Sequence, residues 1–430
     1  MQNRKHYISK EIREKIMMNK IKNKTATVTV VGMGYIGLPT SITFARSGFN
    51  VHGYDVNHDV ISTLRSGKMH IKEPGLQQAF EEVISSGKFT PTDKLEQADV
   101  FIICVPTPFK ESSEKKLADL SFVESASKSI APFVTPGGLV ILESTVPSMT
   151  TDEIVGSIIE KESGLMANRD FFLVYCPERV LPGRIFYELT HNDRIIGSSN
   201  ERAKELAKAL YDSILTTGNV YVTNTHTAEM CKLVENSYRD VNIAFANELS
   251  IICDKIGVNV FELIELANKH PRVNILNPGA GVGGHCIAVD PWFIVEKFPG
   301  EANLIRTARE TNDYKPYWIV EKVEKEIAEK FESGKKDITI AILGLSYKPN
   351  IDDLRESPSL EIAQLLREKG YNVVGCEPNV QLAEIGGIRN IALEEILKIA
   401  DYIVLTLAHD EFKNSINKIL QKHVLNVIGL

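Results

Sequence analysis

A glycine-rich turn, with a buried strand before it and an apolar helix after it, constrains this chain more than any other feature. Residues Thr25 to Val31 read TATVTVV, β-branched nearly throughout, as a buried strand is. The run leads straight into Gly32-Met33-Gly34-Tyr35-Ile36-Gly37. Leu38 to Ala45 then reads as an apolar helix stopped by Ser47-Gly48, and a second strand, Val51 to Tyr54, ends at Asp55. Asp55 lies 18 positions past Gly37. This context separates a dinucleotide-binding GxGxxG from a chance match. Gly32 permits the tight turn, Gly34 lets the backbone approach a pyrophosphate, and Gly37 lets helix and strand pack closely. The helix N-terminus offers unpaired N–H groups to the phosphates. Tyr35 and Ile36 complete the loop. Asp55 is suited to accept hydrogen bonds from the ribose hydroxyls and to repel a 2′-phosphate, so NAD is expected rather than NADP.

Further strand-like runs follow at Val100 to Val105, Leu139 to Leu142, Phe172 to Tyr175 and Val220 to Val222, with helical patterns between most of them. Alternation of that kind predicts a parallel, doubly wound sheet. The character then changes. No Gly occurs between Gly218 and Gly257, and no Pro between Pro182 and Pro271. Thr225 to Ile256 reads as one helix of roughly 45 Å at ~1.5 Å per residue. A second helical stretch, Ala302 to Phe331, is expected to be interrupted at Pro316. Residues 338–344 open a new α/β unit, with a helix at 359–368, strands at 371–375 and 402–406, and a last apolar run at 424–428. After Gly344 come Leu345 and Ser346, so this unit does not repeat the glycine fingerprint.

The expected fold class is therefore α/β, with two Rossmann-like doubly wound domains joined by a long central helix and a helical dimerisation region. The expected segments are a basic extension (1–24), a cofactor-binding domain (25–217), a central helical domain (218–332) and a C-terminal domain (333–430). At 430 residues the chain exceeds one ordinary core. Residues 1–24 carry eight Lys or Arg against two Glu and no apolar core, so a solvated extension rather than a signal peptide is expected there. The net charge of -7 argues against a chain-wide nucleic-acid surface but leaves room for a local basic pocket. Six scattered Cys without a CxxC pair argue against a disulfide scaffold and a structural zinc site. No apolar run reaches transmembrane length. A cytoplasmic protein that binds neither nucleic acid nor membrane is expected.

Two loops sit where a parallel sheet places ligands, just past strand ends: Val105-Pro106-Thr107-Pro108 and Glu143-Ser144-Thr145-Val146-Pro147. Thr107 and Thr145 could there reach a cofactor or a reacting carbon, or serve only as turn residues. Residues 278–291 read PGAGVGGHCIAVDP. Their glycines allow close backbone approach to a ligand, and Cys286 follows at once. If Cys286 begins a helix, the helix N-terminus favours its thiolate, and Asp290 lies on the same face one turn later. A buried structural cysteine is the competing reading. His285 and Cys286 are adjacent and point apart, so no metal site is expected. On the long helix, Lys232, Asn236 and Arg239 fall at i, i+4 and i+7 and make one polar stripe.

Taken together, these strings resemble the UDP-sugar 6-dehydrogenases, the family that contains UDP-glucose dehydrogenase. The resemblance runs from about Thr25 through VGMGYIGLP, PTP at 106–108, EST at 143–145, CPERVLPG at 176–183, AEMCKLVENSYRDVNIAFANE at 228–248, GVGGHCIAVDPWF at 281–293 and GLSYKPNIDDLRESPS at 344–359. Within the family, LANKHPRVNILNPG at 266–279 and HCIAVDPWF look like the branch acting on UDP-N-acetylhexosamines. The resemblance implies a four-electron oxidation of a sugar C6 alcohol to a carboxylate with two NAD+, the aldehyde being held on Cys286. UDP-N-acetyl-D-mannosamine is the implied substrate, with UDP-N-acetylglucosamine, UDP-N-acetylgalactosamine and UDP-glucose as alternatives. By the same resemblance Lys232 assists proton transfer, Asn236 bonds the same oxygen, Asp290 and Thr145 position the water or base, and Glu178 acts in hydrolysis. Lys232 and a water held by Asp290 and Thr145 both remain open as the base. Arg179, Val180, Arg239, His270, Arg272, Gly283, Tyr347, Lys348 and Arg355 match substrate-contacting positions, together with Lys232 and Asn236. Arg272 is a candidate for donation by a second subunit, and a homodimer or dimer of dimers through the central helix is implied.

Three departures stand out. Pro182 occupies the place of a second Glu found in UDP-glucose enzymes, and Val289 the place of their lysine. Both fit an N-acetylhexosamine enzyme. The chain ends at Val427 to Leu430, where relatives continue with an Asp and a basic residue, so the expectation is either a truncated C-terminus or a basic contact missing or replaced, with reduced activity. Two other readings compete. A catalytically silent sugar-nucleotide binder has no use for Cys286, Lys232 and Asp290 together. A two-electron hydroxyacid dehydrogenase has no need of a cysteine nucleophile.

Overall fold

The computed structural model describes residues 9–71, 73–110, 116–181, 183–284, 286–332 and 337–430. Residues 1–8 of the basic extension, Pro182 and His285 lie outside that set. The chain divides into two compact units, Met1–Val234 and Glu235–Leu430.

The first unit is built on eight strands: β1 (Thr27–Val31), β2 (Asn50–Tyr54), β3 (Phe89–Thr92), β4 (Val100–Ile103), β5 (Leu139–Leu142), β6 (Phe172–Tyr175), β7 (Arg194–Gly197) and β8 (Val220–Thr223). Their order is β3-β2-β1-β4-β5-β6-β7-β8, parallel throughout except for the β6–β7 pair. Successive residues of a strand point to opposite faces. Val28 and Val30 enter one apolar core and Val31 the other, and Phe101 and Ile103 alternate with Val100 and Ile102 in the same way. A sheet buried on both faces explains why its strands read as continuous apolar runs. Strand order reverses between β1 and β4, so the loops after these two strands open the crevice where such sheets bind ligands.

Helix α1 (Lys10–Lys22) precedes the sheet, with Ser9 as its N-cap. It packs against a helix at Glu201–Asp212. Met17 and Ile21, at i and i+4, are buried, and Lys20 reaches Asp99 at 2.6 Å. The segment is therefore docked rather than solvated along one face. Two apolar side chains one turn apart suffice for that, even among many lysines. Helix α2 (Gly37–Arg46) follows the glycine loop.

Helix α3 (Thr225–Ile256) runs from the first unit into the second and has the expected bounds. In the second unit, α4 (Asp290–Lys297) and α5 (Asn303–Lys330) precede the second sheet. Helix α5 continues through Pro316 instead of breaking there. An internal proline costs a hydrogen bond and crowds the preceding turn, about 3 kcal/mol. Here Pro316 is buried and flanked by Ile319, Val320 and Val323 in the core, and that packing offsets the loss.

The second sheet has β9 (Thr339–Leu343), β10 (Asn372–Cys376), β11 (Glu384–Ile385), β12 (Ile388–Asn390), β13 (Tyr402–Leu405) and β14 (His423–Asn426). Its order is β11-β12-β10-β9-β13-β14, antiparallel only at β11–β12. This is again a doubly wound sheet, with its order reversing between β9 and β13. Among the described residues no helix is long and apolar enough to cross a membrane.

Candidate active site

The loop after β1 meets the three demands of a pyrophosphate cradle. Gly32 has φ +97°, and a Cβ there would sit 2.8 Å from the Cys104 carbonyl oxygen. A Cβ on Gly37 would lie 1.8 Å from the Gly32 carbonyl oxygen, so no side chain fits. Gly34 faces open space, with nothing within 4 Å of where its Cβ would be. Tyr35 is exposed and Ile36 half-buried. Helix α2 has no side-chain cap; in its first turn the Leu38 N–H turns back to the Gly34 carbonyl at 3.2 Å and Pro39 carries no N–H. Asp55 ends β2, half-buried, and accepts the Met33 N–H at 2.7 Å and the Asn57 N–H at 2.8 Å. One bond per oxygen leaves lone pairs for two ribose hydroxyls. The residues present fit a dinucleotide.

The loops after β4 and β5 are stitched together. Thr107 Oγ1 donates to the Thr145 carbonyl at 2.7 Å, and Ser144 Oγ donates to the Val105 carbonyl at 2.7 Å. Glu143, beside them, points into the core. It accepts from Tyr211 at 2.6 Å and from the Cys104 thiol at 3.1 Å, with Arg194 at 3.8 Å. Burial raises its pKa, and Arg194 partly offsets that. Burial also pushes the Cys176 thiol up to about 12, so this cysteine is inert at neutral pH.

Glu178, past the end of β6, is 9% exposed and pairs with Arg194 Nη2 at 3.0 Å. Its other oxygen accepts the Arg179 N–H at 2.7 Å. Arg179 and Val180 are half-buried, and Arg179 lines a cleft of about 440 Å³ with Asp193, Tyr221, Thr227 and Cys231. The carboxylate of Glu73 takes the N–H groups of Gly183 (2.9 Å) and Ile185 (2.7 Å), which pins the segment following Glu178. Neither Glu73 nor Arg194 carries a sequence signal of that role. Each charge is matched by a partner more than a dozen residues away.

In the second unit, Cys286 is exposed. Its carbonyl accepts the N–H groups of Val289 (3.1 Å) and Asp290 (2.8 Å). Regular helix begins at Asp290, not at Cys286. The next donor in the ladder would be residue 291, a proline without N–H, so the turn from Cys286 loses its next ladder bond, and Pro291 sits instead in the first turn of the helix that starts at Asp290. Asp290 still lies one turn past the thiol. It is buried and accepts the Asn236 side-chain amide at 2.5 Å. The structure thus brings Asn236 and Asp290 together. Lys232, one turn before Asn236 on α3, is also buried, whereas Arg239 is exposed, so the polar stripe does not share one environment.

The glycines before Cys286 pack against the C-terminal sheet's loops. A Cβ on Gly283 would meet the Glu356 carbonyl at 2.2 Å and Tyr347 Cβ at 2.8 Å. A Cβ on Gly284 would lie 2.7 Å from the Tyr347 ring. What fills this space is protein. Burial raises the Tyr347 phenol to about 12, helped by the negative charge of Asp353 and, least, by Cys286. Lys348 is half-buried and its carbonyl accepts Ser346 Oγ at 3.0 Å. Asp353 grips Arg355 at 2.7 and 2.9 Å. His270 and Arg272 are exposed on the segment after the helix Val260–Ala267.

Other polar residues of α3 are scaffold. Asp240 is buried against Arg309 (2.6 Å) and Asn312 (2.8 Å), and Asn247 joins Asn312 (2.8 Å) to the Gly279 N–H (2.9 Å). They hold α3, α5 and the glycine-rich segment in register.

The UDP-glucose/GDP-mannose dehydrogenase family matches along the chain: its NAD binding domain over residues 26–215, its central domain over 226–314 and its UDP binding domain over 341–427. The chain belongs to this family. It is an NAD-dependent dehydrogenase. The chain is 47% identical over 421 residues to a UDP-N-acetyl-D-mannosamine dehydrogenase of Escherichia coli, covering 94% of this chain and 99% of that protein. It is 46% identical over 408 residues to an NDP-N-acetyl-D-galactosaminuronic acid dehydrogenase of Ralstonia solanacearum, covering 93% and 94%. The solved structure of a UDP-D-ManNAc dehydrogenase from Pyrococcus horikoshii superposes with a TM-score of 0.86 at 41% identity, covering 94% of this chain and 95% of that one.

Proposed function

We propose that this dehydrogenase oxidises UDP-N-acetyl-D-mannosamine at C6 to the uronate, the sugar being held on Cys286 as a thiohemiacetal between the two oxidations and as a thioester after the second. The observation that carries the reading is the exposed Cys286 one turn ahead of the buried Asn236–Asp290 pair, in a chain that also holds a dinucleotide loop. Support for the substrate comes from the relatives and from Val289. It is 6% exposed where UDP-glucose enzymes carry a lysine, and a charge would be costly there.

NAD+ supplies a hydride acceptor, once for the alcohol and once for the thiohemiacetal. The Gly32–Gly37 loop and Asp55 bind it, with Thr107 and Thr145 beside the crevice. Lys232, or a water held by Asp290 and Thr145, takes the alcohol proton. The Cys286 sulfur adds to the aldehyde carbon, and Lys232 and Asn236 stabilise the oxygen of the resulting thiohemiacetal. Its oxidation leaves a thioester. Water attacks the thioester carbon, the C–S bond breaks and the thiolate is restored, with Glu178 assisting the proton transfer. The balance is one alcohol, one water and two NAD+ in, one carboxylate, two NADH and three protons out. Arg179, Val180, Arg239, His270, Arg272, Gly283, Tyr347, Lys348 and Arg355 form the sugar-nucleotide contacts. Guanidinium groups suit the diphosphate.

The domain organisation that goes with this reading is the basic extension (1–24), NAD domain (25–217), central domain (218–332) and UDP-sugar domain (333–430), in a cytoplasmic homodimer or dimer of dimers. A panel of UDP-N-acetylmannosamine, UDP-N-acetylglucosamine, UDP-N-acetylgalactosamine and UDP-glucose, scored by NADH yield, tests the substrate. The mannosamine compound is expected to lead by at least ~10-fold in kcat/KM. A lead by any of the other three replaces it, and no NADH from any of them ends the enzymatic reading.

A further inference from the structure

Thr107, Thr145 and Lys232 come from three separate segments of the first unit. Hydrogen bonds already described join the first two: Ser144 to Val105, and Thr107 to the Thr145 carbonyl. Past Thr145 the same loop reaches Met149, which has φ +77° although it is not glycine. Thr151 then opens a π-helical turn that runs to Gly156. A side chain in the left-handed region persists only where its surroundings hold it.

The holder is on α3. The side chain of Glu229 is fully buried. Its Oε2 accepts the Met149 N–H at 2.5 Å. Its Oε1 accepts the Thr151 N–H at 2.9 Å and the Thr151 hydroxyl at 2.6 Å. Burial raises the pKa of Glu229, with these three donors acting against the rise and Asp152 adding to it. Burying a carboxylate is expensive, and these three bonds all run to one loop. Lys232 stands one turn further along the same helix, so the residue that grips the Thr145 loop also sits beside the lysine.

We infer that Glu229 is a positioning residue, locking the Thr145 loop to the helical turn that carries Lys232. The inference rests on the reading that Thr145 and Lys232 serve the reaction. Glu229→Gln tests it, because the isosteric amide presents an NH2 to one of the two backbone N–H groups and breaks that bond. The expected result is a fall in kcat of about 10- to 100-fold, the scale of a small misplacement near the chemistry. KM for NAD+ and for UDP-N-acetylmannosamine should stay within about twofold.

A double-mutant cycle supplies the reading that a mere stabilising cap would not move. In a Thr145→Ala background, Glu229→Gln should cost less than about threefold further, because both changes disable one unit. A wild-type kcat in Glu229→Gln, whatever its melting temperature, overturns the inference, and so does full additivity with Thr145→Ala. A wild-type kcat in Thr145→Ala alone removes Thr145 from the reaction, a failure of the proposed site. Glu229 is then judged by its own kcat in the single variant. Should Glu229→Gln not fold, Thr151→Val removes only the hydroxyl donor. It should lower kcat about threefold with the same non-additivity, and a wild-type kcat there overturns the inference.

Discussion

The two doubly wound sheets treat the same crevice in opposite ways. Past β1 the chain reads Gly32-Met33-Gly34, and past β9 it reads Gly344-Leu345-Ser346. In each case an acid at the end of the neighbouring strand turns back onto the loop. Asp55 accepts the Met33 N–H, and Glu377 accepts the Leu345 N–H at 2.9 Å. There the likeness ends. Gly34 leaves open space and Asp55 keeps unused lone pairs. Ser346 is buried and gives its N–H to Glu377 at 2.9 Å, while its hydroxyl proton is shared between Glu377 and the Lys348 carbonyl, each at 3.0 Å. His409, past β13, adds a bond from Nε2 at 3.1 Å, and its Nδ1 accepts the Asn350 N–H at 3.0 Å. One crevice is built to receive an anion from outside, and the other has satisfied its donors with its own carboxylate. The same fold thus serves as a cofactor cradle in one unit and a braced platform in the other, where the loop behind Ser346 carries Tyr347 and Lys348.

Filling the open crevice should have the largest effect. Gly37→Ala has no room for its methyl beside the Gly32 carbonyl, and it should weaken NAD binding at least ~100-fold by isothermal titration. Affinity within threefold of wild type would show that the loop yields. Glu377→Gln attacks the braced crevice instead. Burial pushes this carboxyl up, but the bonds from His409, Leu345 and Ser346 outweigh it and hold the pKa at about 2. A depressed carboxyl stabilises the fold above its ordinary range. That contribution, about 3 kcal/mol at ~1.4 kcal/mol per pKa unit, is lost as pH falls from about 4.5 towards 2. Chemical denaturation should show the loss at pH 7 in the variant, with NAD affinity unchanged. A change in NAD affinity instead would mean that the two crevices are not independent. Asp55→Asn is milder, about a tenfold loss of NAD affinity and a smaller preference over NADP, read from KM ratios. Ser346→Ala should cost only about 1 kcal/mol of stability, because Glu377 keeps its other donors.

Much of this was legible in order along the chain. The glycine loop, Asp55 and α3 are local patterns with local causes. The strands β3 and β7 were not anticipated. Pro91 in β3 masks a strand that survives because it pairs only with β2, at the sheet edge, and β7 starts with the buried Arg194. The short β11–β12 hairpin gave no periodic signal. Pro316 misled because its cost is repaid by packing that only the folded chain supplies. The same holds in the site. Cys286 and Asp290 share one turn and could be read together. Glu143, Glu229 and Arg194 are buried charges whose partners come from distant segments, and a lone Glu or Arg in a sequence does not announce its burial.

The counting of reducing equivalents probes the central claim most directly. Full-length enzyme given limiting UDP-N-acetylmannosamine and excess NAD+ should yield two NADH per sugar, and Cys286→Ser should lose that yield while still binding NAD. Two NADH per sugar at an undiminished rate from the serine variant would show that no sulfur carries the sugar between the oxidations.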